Sequence, residues 1–360
     1  MANQFKFFNS QTVVLDGGFG TSLEQLFQLD ISNTPLWSAK AVIDHSDVVI
    51  KTHLAFLRAG AEVISTSTYQ CSYSTFENAG YSAENARRII CRSVELASQA
   101  RQIFREEQLE NEVPPRDVRI ALSLGPFGAS LKPAQEFDGF YPPPFGPKAS
   151  GIHPRLAQFH FERLLIVFEE EAAWNSIDCL AFETVPLTRE IKAIRQAVGL
   201  LNDRIAAAES TGRSSDSTTK PWWISMVFPG GIYPETTKDG SSRMSIQDVV
   251  SAAVQDQSLN YPLEYLPRLV SQLEEALPLN DSPKPWLVLY PNGGDAYDPI
   301  TQKWVESGTQ SSDKKWAKAL KASSIPSDKW AGVILGGCCR TTPAHIQCLK
   351  QDIIAPEMKR

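Results

Sequence analysis

Short apolar, β-branched segments alternate with amphipathic helical patterns along almost the whole chain, and this alternation constrains the fold more than any other feature. Seven such segments are recognisable, at residues 12–18, 61–70, 119–128, 178–186, 222–231, 285–294 and 331–339. Strands that are regularly separated by helices are typical of a parallel sheet covered by helices. The alternation therefore predicts an α/β fold.

Several of these segments end in glycines or polar residues directly after the apolar run. The clusters are Asp16-Gly17-Gly18, Glu183-Thr184 and Gly336-Gly337-Cys338-Cys339. In a (β/α)8 barrel of the TIM type the carboxyl ends of the strands carry the active site, so we expect these clusters to share one rim. A doubly wound open sheet also places its site at strand ends and is the second candidate.

A barrel needs eight strands, and the sequence shows only seven. The missing strand belongs between residues 231 and 285, where the short segment left between two helical patterns is Ser258-Leu259-Asn260-Tyr261. This segment is too short and too polar to predict a buried strand. We therefore expect a (β/α)8 barrel whose sixth strand is shortened or missing.

The length of 360 residues fits one α/β barrel domain, so residues 1–360 are predicted to form a single domain. Three segments are predicted to be surface loops: 132–154, 209–220 and 306–328, the last with a short helix. Residues 132–154 are rich in proline, glycine and aromatic residues. A loop of this length is usually functional or disordered, and its aromatic side chains are candidates for covering a ligand.

Charge and hydropathy exclude several classes of partner. The net charge is −6 and no run of lysine or arginine occurs, which argues against binding to nucleic acid or to an anionic membrane. We expect neither a secretory signal nor a transmembrane helix, because no long apolar stretch is present. The six cysteines are sparse and irregularly spaced, unlike a disulfide framework, so a cytoplasmic location is expected. The oligomeric state is not indicated.

The adjacent cysteines Cys338 and Cys339 predict a metal site. On an ideal strand neighbouring side chains point to opposite faces, but at a strand end followed by a turn both can converge on one ion. Thiolate sulfur is a preferred ligand of zinc. Thr342 and Pro343 then predict a helix start. The alternative is a pair of small buried side chains without function.

The segment DGGFGTSLE, residues 16–24, predicts a turn from a strand into a helix. Gly17 and Gly18 allow a ligand to approach the backbone closely. Thr21 and Glu24 have the spacing of a capping box. The alternative is a simple βα turn, in which aspartate and glycine are common.

Other ionisable residues divide into one site candidate and a structural group. Glu183 follows an apolar strand, where a carboxylate is costly unless it is paired or lies at a site rim. A helix-capping or ion-pairing role is the alternative for Glu183. Four histidines have no metal-ligand spacing and are predicted to be structural: His53, His153, His160 and His345.

Six motifs together resemble those of the homocysteine S-methyltransferases in order and spacing, over nearly the whole chain. They are LDGGFGTSLE, STYQ, SLGPFGASL, FETVPLTREIKA, LVLYPNGGDAYD and GGCCRTTPAHI. The chain is most similar to the branch that uses S-methylmethionine or S-adenosylmethionine. The resemblance implies a (β/α)8 barrel that moves a methyl group from a sulfonium donor to homocysteine, giving methionine.

The resemblance also implies a site. In the family one Zn²⁺ is held by three cysteines, two from the GGCC motif and one from a Gly-x-Asn-Cys motif that ends strand six. Cys338 and Cys339 are then zinc ligands. Asp16 and Glu183 then receive the amino group of homocysteine, with Gly17 and Gly18 beside them. Zinc lowers the pKa of a bound thiol, and the thiolate is the nucleophile.

The chain departs from the family pattern at the third zinc ligand. Tyr261 stands where the third cysteine is expected, in Ser258-Leu259-Asn260-Tyr261. One alternative is therefore a catalytically impaired family member that acts as a binding protein or is unstable. Another is an unrelated barrel enzyme that shares only the glycines at its strand ends. The methyl donor and the true third ligand are not indicated by the sequence.

Overall fold

The fold is of the α/β class, which confirms the predicted parallel sheet covered by helices. The structure is a computed structural model that describes residues 7–31, 34, 36–146, 154–210, 219–237, 239–253, 257–260, 266–277, 284–294, 296–298, 303–305, 312–324 and 328–351. Its main sheet has eight parallel strands, and a separate hairpin has two antiparallel strands.

The strands of the main sheet are short and follow the apolar segments of the sequence. They are β1 Thr12–Val14, β2 Val63–Ser65, β3 Arg119–Leu124, β4 Cys179–Val185, β5 Trp222–Val227, β6 Gln257–Asn260, β7 Trp286–Leu289 and β10 Gly332–Leu335. The hairpin consists of β8 Ala296–Asp298 and β9 Lys303–Val305, which the sequence did not predict.

Strands of the main sheet that follow one another along the chain lie side by side. Their spatial order is β1-β10-β7-β6-β5-β4-β3-β2. The reversal of strand order that defines a doubly wound sheet is absent from the described strands. The two outermost strands of this order are joined by a parallel bridge between Leu15 and Val63. There the Asp16 N–H donates to the Val63 carbonyl oxygen at 3.0 Å.

Helices connect most of the strands. They are α1 Phe19–Phe27, α2 Ser38–Asp44, α3 Ser46–Ala59, α4 Tyr73–Asn78, α5 Ala83–Glu110, α6 Pro154–Phe168, α7 Glu171–Ser176, α8 Thr188–Ser210, α9 Ile246–Ala253, α10 Leu266–Ala276, α11 Asp313–Ser323 and α12 Pro343–Leu349. Local signals set their ends: the Ser82 hydroxyl accepts the Asn85 N–H at the start of α5, and α3 ends at Gly60 with φ of 117°. Among these described helices, none has the length and apolar character that a membrane span requires.

Both faces of the sheet are buried. Alternate strand residues such as Ile120, Leu122 and Phe182 pack into the large cluster that includes the helices. The residues between them, such as Ala121 and Ala181, join a second apolar cluster that is made almost entirely of strand residues. Burial on both faces explains why the strands are continuous apolar runs rather than alternating ones.

The sixth strand corrects the count of seven made from the sequence. Strand β6 pairs with β5, Met226 lying opposite Leu259, and with β7, where Leu289 also lies opposite Leu259. A strand of four residues occupies Gln257–Asn260, so the expectation that strand six is missing is wrong, whereas the expectation of a shortened strand is not contradicted. Backbone pairing with two neighbours overrides the weak strand propensity of this short polar segment.

The predicted loops lie between these elements. Residues 132–146 contain neither an α-helix nor a strand, and residues 147–153 lie outside the described part. Helix α8 extends to Ser210 and β5 begins at Trp222, which bracket the second predicted loop. The short helix expected in the third predicted loop is α11.

Candidate active site

One cavity lies at the carboxyl ends of the strands and brings together all the site residues predicted from the sequence. Its volume is about 160 Å³. The predicted site residues that line it are Asp16, Gly17, Gly18, Glu183, Cys338 and Cys339. They come from the ends of β1, β4 and β10, because parallel strands present their carboxyl ends at one edge.

Asp16 lies buried two residues after β1, with only 2% of its surface exposed. Its Oδ2 accepts the Ser65 N–H at 2.7 Å, and its Oδ1 accepts the Ser65 hydroxyl at 3.1 Å. Burial raises the pKa of the Asp16 carboxyl to about 8, and the negative charge of Glu183 adds to the rise. A cationic ligand in the cavity would offset both the burial of the Asp16 carboxylate and its repulsion by Glu183.

Glu183 lies at an irregularity in β4. The β4–β5 register shifts between Phe182 and Val185, and Thr184 adopts φ of 60°, a left-handed conformation that β-branched residues rarely adopt. Bulges of this kind re-aim side chains near active sites, and here Glu183 lines the cavity although it lies within a strand. The Ser123 hydroxyl donates to Glu183 Oε1 at 2.5 Å.

The electrostatics of the cavity favour cations. Burial raises the pKa of Glu183 to about 7, although its hydrogen bond from Ser123 and the charge of Arg163 oppose the rise. Asp16 and Glu183 interact through their charges, which also raises the pKa of Asp16. Among the described residues that line the cavity, none is lysine, arginine or histidine. The arrangement therefore suits a ligand with an ammonium group.

The cysteine pair lies where β10 ends. The Sγ atoms of Cys338 and Cys339 are 4.0 Å apart, and both side chains are partly buried. Two sulfurs bound to one tetrahedral zinc at about 2.3 Å would lie about 3.8 Å apart. The pair therefore fits two positions of a zinc site. Contact with the Cys338 thiol, together with burial, raises the pKa of the Cys339 thiol.

Hydrogen bonds lock the cysteine turn to the turn after β1. The Gly18 N–H donates to the Thr341 carbonyl and hydroxyl oxygens, both at 3.0 Å. The Thr341 hydroxyl donates to the Cys338 carbonyl oxygen at 2.5 Å. A Cβ at Gly18 would lie 2.6 Å from that same carbonyl oxygen, so glycine is needed for the approach of the two turns. Gly18 was predicted to let a ligand approach the backbone. The structure adds a second role, which is to let the turn after β1 pack against the cysteine turn.

The predicted capping box of Thr21 and Glu24 is wrong. Helix α1 begins at Phe19 with Gly18 at its N-cap, and no side chain caps it. Thr21 lies inside the first turn, where its hydroxyl donates to the Gly18 carbonyl at 3.0 Å and accepts the Arg340 N–H at 2.9 Å. Thr21 therefore ties the two turns together.

The start of α12 agrees with the sequence. Thr342 is the N-cap and Pro343 occupies the first turn, as predicted. The Thr342 N–H donates to His345 Nδ1 at 3.2 Å, which completes a capping box that uses histidine in place of glutamate.

None of the histidines that the structure describes is among the residues lining the cavity. His160 Nε2 lies 3.0 Å from Glu190 Oε1, and His345 caps α12. His53 is fully buried and packs against Phe19 at 4.4 Å between ring centroids. His153 lies outside the described residues.

The third zinc ligand was expected at position 261. Position 261, occupied by Tyr261, follows the end of β6 but lies outside the described part, so its role stays a prediction. Within the described residues, no group of three or more His, Cys, Asp or Glu side chains is arranged to hold a metal ion.

Several residues that line the cavity were not among the predicted site residues. Aromatic side chains contribute a large part of the wall: Phe19, Trp37, Tyr69 and Tyr290, together with Phe137 from the loop whose aromatic residues were expected to cover a ligand. Ser65 and Ser123 hold the two acids, and their place at the ends of β2 and β3 was the signal that could have identified them. Glu136 also lines the cavity, from the predicted loop.

A buried glutamate anchors this loop to helix α8. Glu190, in the first turn of α8, is fully buried. Its Oε2 accepts the Tyr141 hydroxyl at 2.5 Å, and its Oε1 accepts the Phe127 N–H at 2.6 Å. The loop residues that line the cavity, Glu136 and Phe137, lie within five positions of Tyr141 in sequence. Glu190 therefore holds the wall of the cavity in place.

A family model and several related proteins of known description match this chain over most of its length. Residues 13–353 match the family model described as homocysteine S-methyltransferase. Homocysteine S-methyltransferase 2 of Zea mays is 31% identical over 348 residues, which cover 95% of this chain and 89% of that protein. The selenocysteine Se-methyltransferase of Brassica oleracea var. italica is 29% identical over 349 residues, covering 95% of this chain and 89% of that protein.

A solved structure has the same fold. The metallated form of the homocysteine methyltransferase MmuM from Escherichia coli superimposes with a TM-score of 0.64 and is 26% identical. The match covers 96% of this chain and 97% of that chain.

Proposed function

This chain belongs to the homocysteine S-methyltransferase family, and on that basis we propose that it transfers a methyl group from a sulfonium donor to the thiol of homocysteine, giving methionine. The donor is S-methylmethionine or S-adenosylmethionine. The observation that carries the proposal is the convergence of the acids Asp16 and Glu183 with the thiols of Cys338 and Cys339 around one cavity.

Asp16 and Glu183 bind the amino group of homocysteine in this proposal. The ammonium group has hydrogen atoms for both carboxylates and supplies the positive charge that two neighbouring buried acids lack. Hydrogen bonds from Ser65 and Ser123 hold the acids in position. Gly17 and Gly18 line the cavity beside Asp16, so their backbone is available to contact the substrate. Fixing the amino group in this way orients the substrate thiol within the cavity.

Cys338 and Cys339 hold a zinc ion in this proposal, and the distance of 4.0 Å between their sulfurs supports it. When bound, zinc lowers the pKa of a thiol so that it reacts as a thiolate. The relative from Escherichia coli has a metallated form, which supports a metal here too. In the family the third ligand is a cysteine at the end of strand six, and Tyr261 stands at that position in this chain.

The transfer itself needs alignment more than further catalytic groups. The thiolate sulfur of homocysteine forms a bond to the methyl carbon, while the bond from that carbon to the sulfonium sulfur breaks and its electron pair stays on the donor sulfur. The chain holds the two sulfurs and the carbon in line and excludes water. The aromatic wall of the cavity excludes water.

The proposal also includes the barrel fold, the single domain, the partners and the cellular location. The bridge between Leu15 and Val63 supports closure of the eight strands into a (β/α)8 barrel, with residues 1–360 as one domain. The net charge of −6 supports small-molecule substrates without nucleic acid or membrane partners, and the irregular cysteines support a cytoplasmic location.

The proposal is tested by incubating purified, zinc-supplemented protein with homocysteine and each sulfonium donor in turn. Methionine formation that depends on both substrates is expected, with at least one donor. The variants Asp16→Asn and Glu183→Gln are expected to lose most of that activity. Absence of methionine with both donors would overturn the proposal.

A second candidate function is that of a catalytically impaired family member that binds amino acids. Tyr261 in place of the third cysteine favours it. This candidate predicts that homocysteine raises the thermal midpoint of the protein while no methionine forms. The two candidates are therefore separated by turnover, not by binding.

A further inference from the structure

A third carboxyl group lines the same cavity and has no role in the binding of homocysteine proposed above. Glu136 lies in the loop before Tyr141, and only 9% of its surface is exposed. Its Oε2 has no hydrogen-bond partner among the described residues. Burial raises the pKa of Glu136 to about 7. A buried carboxylate oxygen without a partner is unfavourable unless a ligand satisfies it.

The surroundings of Glu136 indicate the chemistry of that ligand. Glu136 lines the same cavity as the aromatic side chain of Tyr69 and the thiol of Cys339. Tyr69, Phe137 and Tyr290 line the cavity with it, and the described lining residues include no basic side chain. Aromatic faces and carboxylates both attract cations, and aromatic faces suit alkylated cations that cannot donate hydrogen bonds.

We propose that Glu136 recognises the positive charge of the methyl donor, and that it makes the site selective for a sulfonium ion over the neutral thioether left after transfer. The inference rests on the proposed function, which supplies the class of donor. Asp16 and Glu183 are engaged by the ammonium group of the acceptor, and Glu136 is the carboxylate that remains for the second cation. The loop that carries Glu136 is held by the Tyr141–Glu190 hydrogen bond.

The reaction removes the charge that Glu136 recognises. The sulfonium sulfur becomes a neutral thioether when it keeps the electron pair of the broken bond. The contact is therefore stronger with the bound donor than with the transition state or the product. Such a contact lowers the KM for the donor and also lowers kcat, and it favours release of the spent donor.

The test measures binding in the absence of homocysteine, so that it does not depend on turnover. Binding of S-methylmethionine and of methionine, which lacks the sulfonium charge, is measured by calorimetry for wild type and Glu136→Gln. The dissociation constant for S-methylmethionine is expected to rise about tenfold or more in the variant, because contacts to charged groups commonly contribute that much. The dissociation constant for methionine is expected to stay within about twofold of wild type.

Asp203→Asn is the matched control, because Asp203 is an exposed carboxylate on α8 that does not line the cavity. It is expected to bind both compounds like wild type. Equal weakening of both compounds by Glu136→Gln, or unchanged binding of S-methylmethionine, would overturn the inference. If wild type and variant differ as expected but no methionine forms with homocysteine, the proposed function fails while the charge recognition by Glu136 stands.

Discussion

The Sγ atoms of Cys338 and Cys339 lie 4.0 Å apart although the residues are adjacent in sequence. Adjacent side chains of a regular strand point to opposite faces, so this approach is possible only because β10 ends at Leu335 and a turn follows. Arg340 in that turn has φ of 65°. The backbone of the turn thus places two sulfurs where one ion can contact both.

Removing either thiol is expected to remove the metal. Cys338→Ala or Cys339→Ala should lose most of the zinc bound by wild type, since each leaves a site with one thiolate. Cys348→Ala is the control, because Cys348 lies in α12 and does not line the cavity. Metal content of the purified proteins is the measurement. Full zinc retention in both active-site variants would contradict the assignment.

Restoring the family cysteine is expected to strengthen the metal site. Tyr261→Cys should raise the zinc affinity by about tenfold or more, because a third thiolate would bind the metal. A tenfold change requires only about 1.4 kcal/mol of binding free energy. Tyr261→Phe separates the loss of the phenol oxygen from the gain of the thiol. Competition titration with a chelating dye gives the affinities. A zinc affinity of Tyr261→Cys equal to that of wild type would show that position 261 does not reach the metal.

The acids of the site are expected to make the ligand-free protein less stable as the pH rises. The pKa of Asp16 is about 8 in the folded chain against an ordinary value of 3.8. Between these values the folded state holds a proton that the unfolded state has lost, so the contribution of Asp16 to stability is complete below about pH 3.8 and falls as the pH rises to about 8.

Asp16→Asn should therefore have a higher thermal midpoint than wild type at pH 8, by about 2 °C or more, and a much smaller difference at pH 5. Asparagine can still accept the Ser65 N–H, and Asp138→Asn serves as an exposed control. Thermal unfolding at both pH values is the measurement. If the thermal midpoints of Asp16→Asn and wild type differ by the same amount at both pH values, ionisation of the buried Asp16 does not destabilise the folded protein.

The hydrogen bond between Tyr141 and Glu190 is expected to stabilise the loop that forms the cavity wall. Tyr141→Phe should lower the free energy of unfolding by about 1–2 kcal/mol, because a buried carboxylate loses a donor. Proteolysis within residues 132–146 should also become faster. Tyr233→Phe is the matched control, since Tyr233 is equally buried but lies in another loop and donates to the Val185 carbonyl at 3.4 Å. Equal proteolysis rates in both variants would argue against this anchoring role.

The sequence predicted the strands and the convergence at their ends because both depend on local signals. Asp16, Glu183 and the cysteine pair each follow an apolar run, and the rule for parallel strands brings such residues to one edge. The sixth strand was missed because its pairing with β5 and β7 is a long-range effect that its own residues do not signal.

Other features were not accessible from the sequence for similar reasons. Thr21 has the spacing of a helix cap, but the helix starts two residues earlier and Thr21 bonds to a turn more than 300 positions away. Glu136 could not be separated from other loop acids, because only its burial and its missing partner distinguish it from the exposed Asp138. Long-range packing decides both cases.

The most direct test of the account follows the carbon skeleton of the acceptor. Protein loaded with zinc is incubated with ¹³C-labelled homocysteine and unlabelled S-methylmethionine or S-adenosylmethionine, and the products are analysed by mass spectrometry. The account predicts ¹³C-labelled methionine with at least one donor, in an amount equal to the donor consumed and dependent on Cys338, Cys339, Asp16 and Glu183. Labelled homocysteine recovered unchanged with both donors would contradict it.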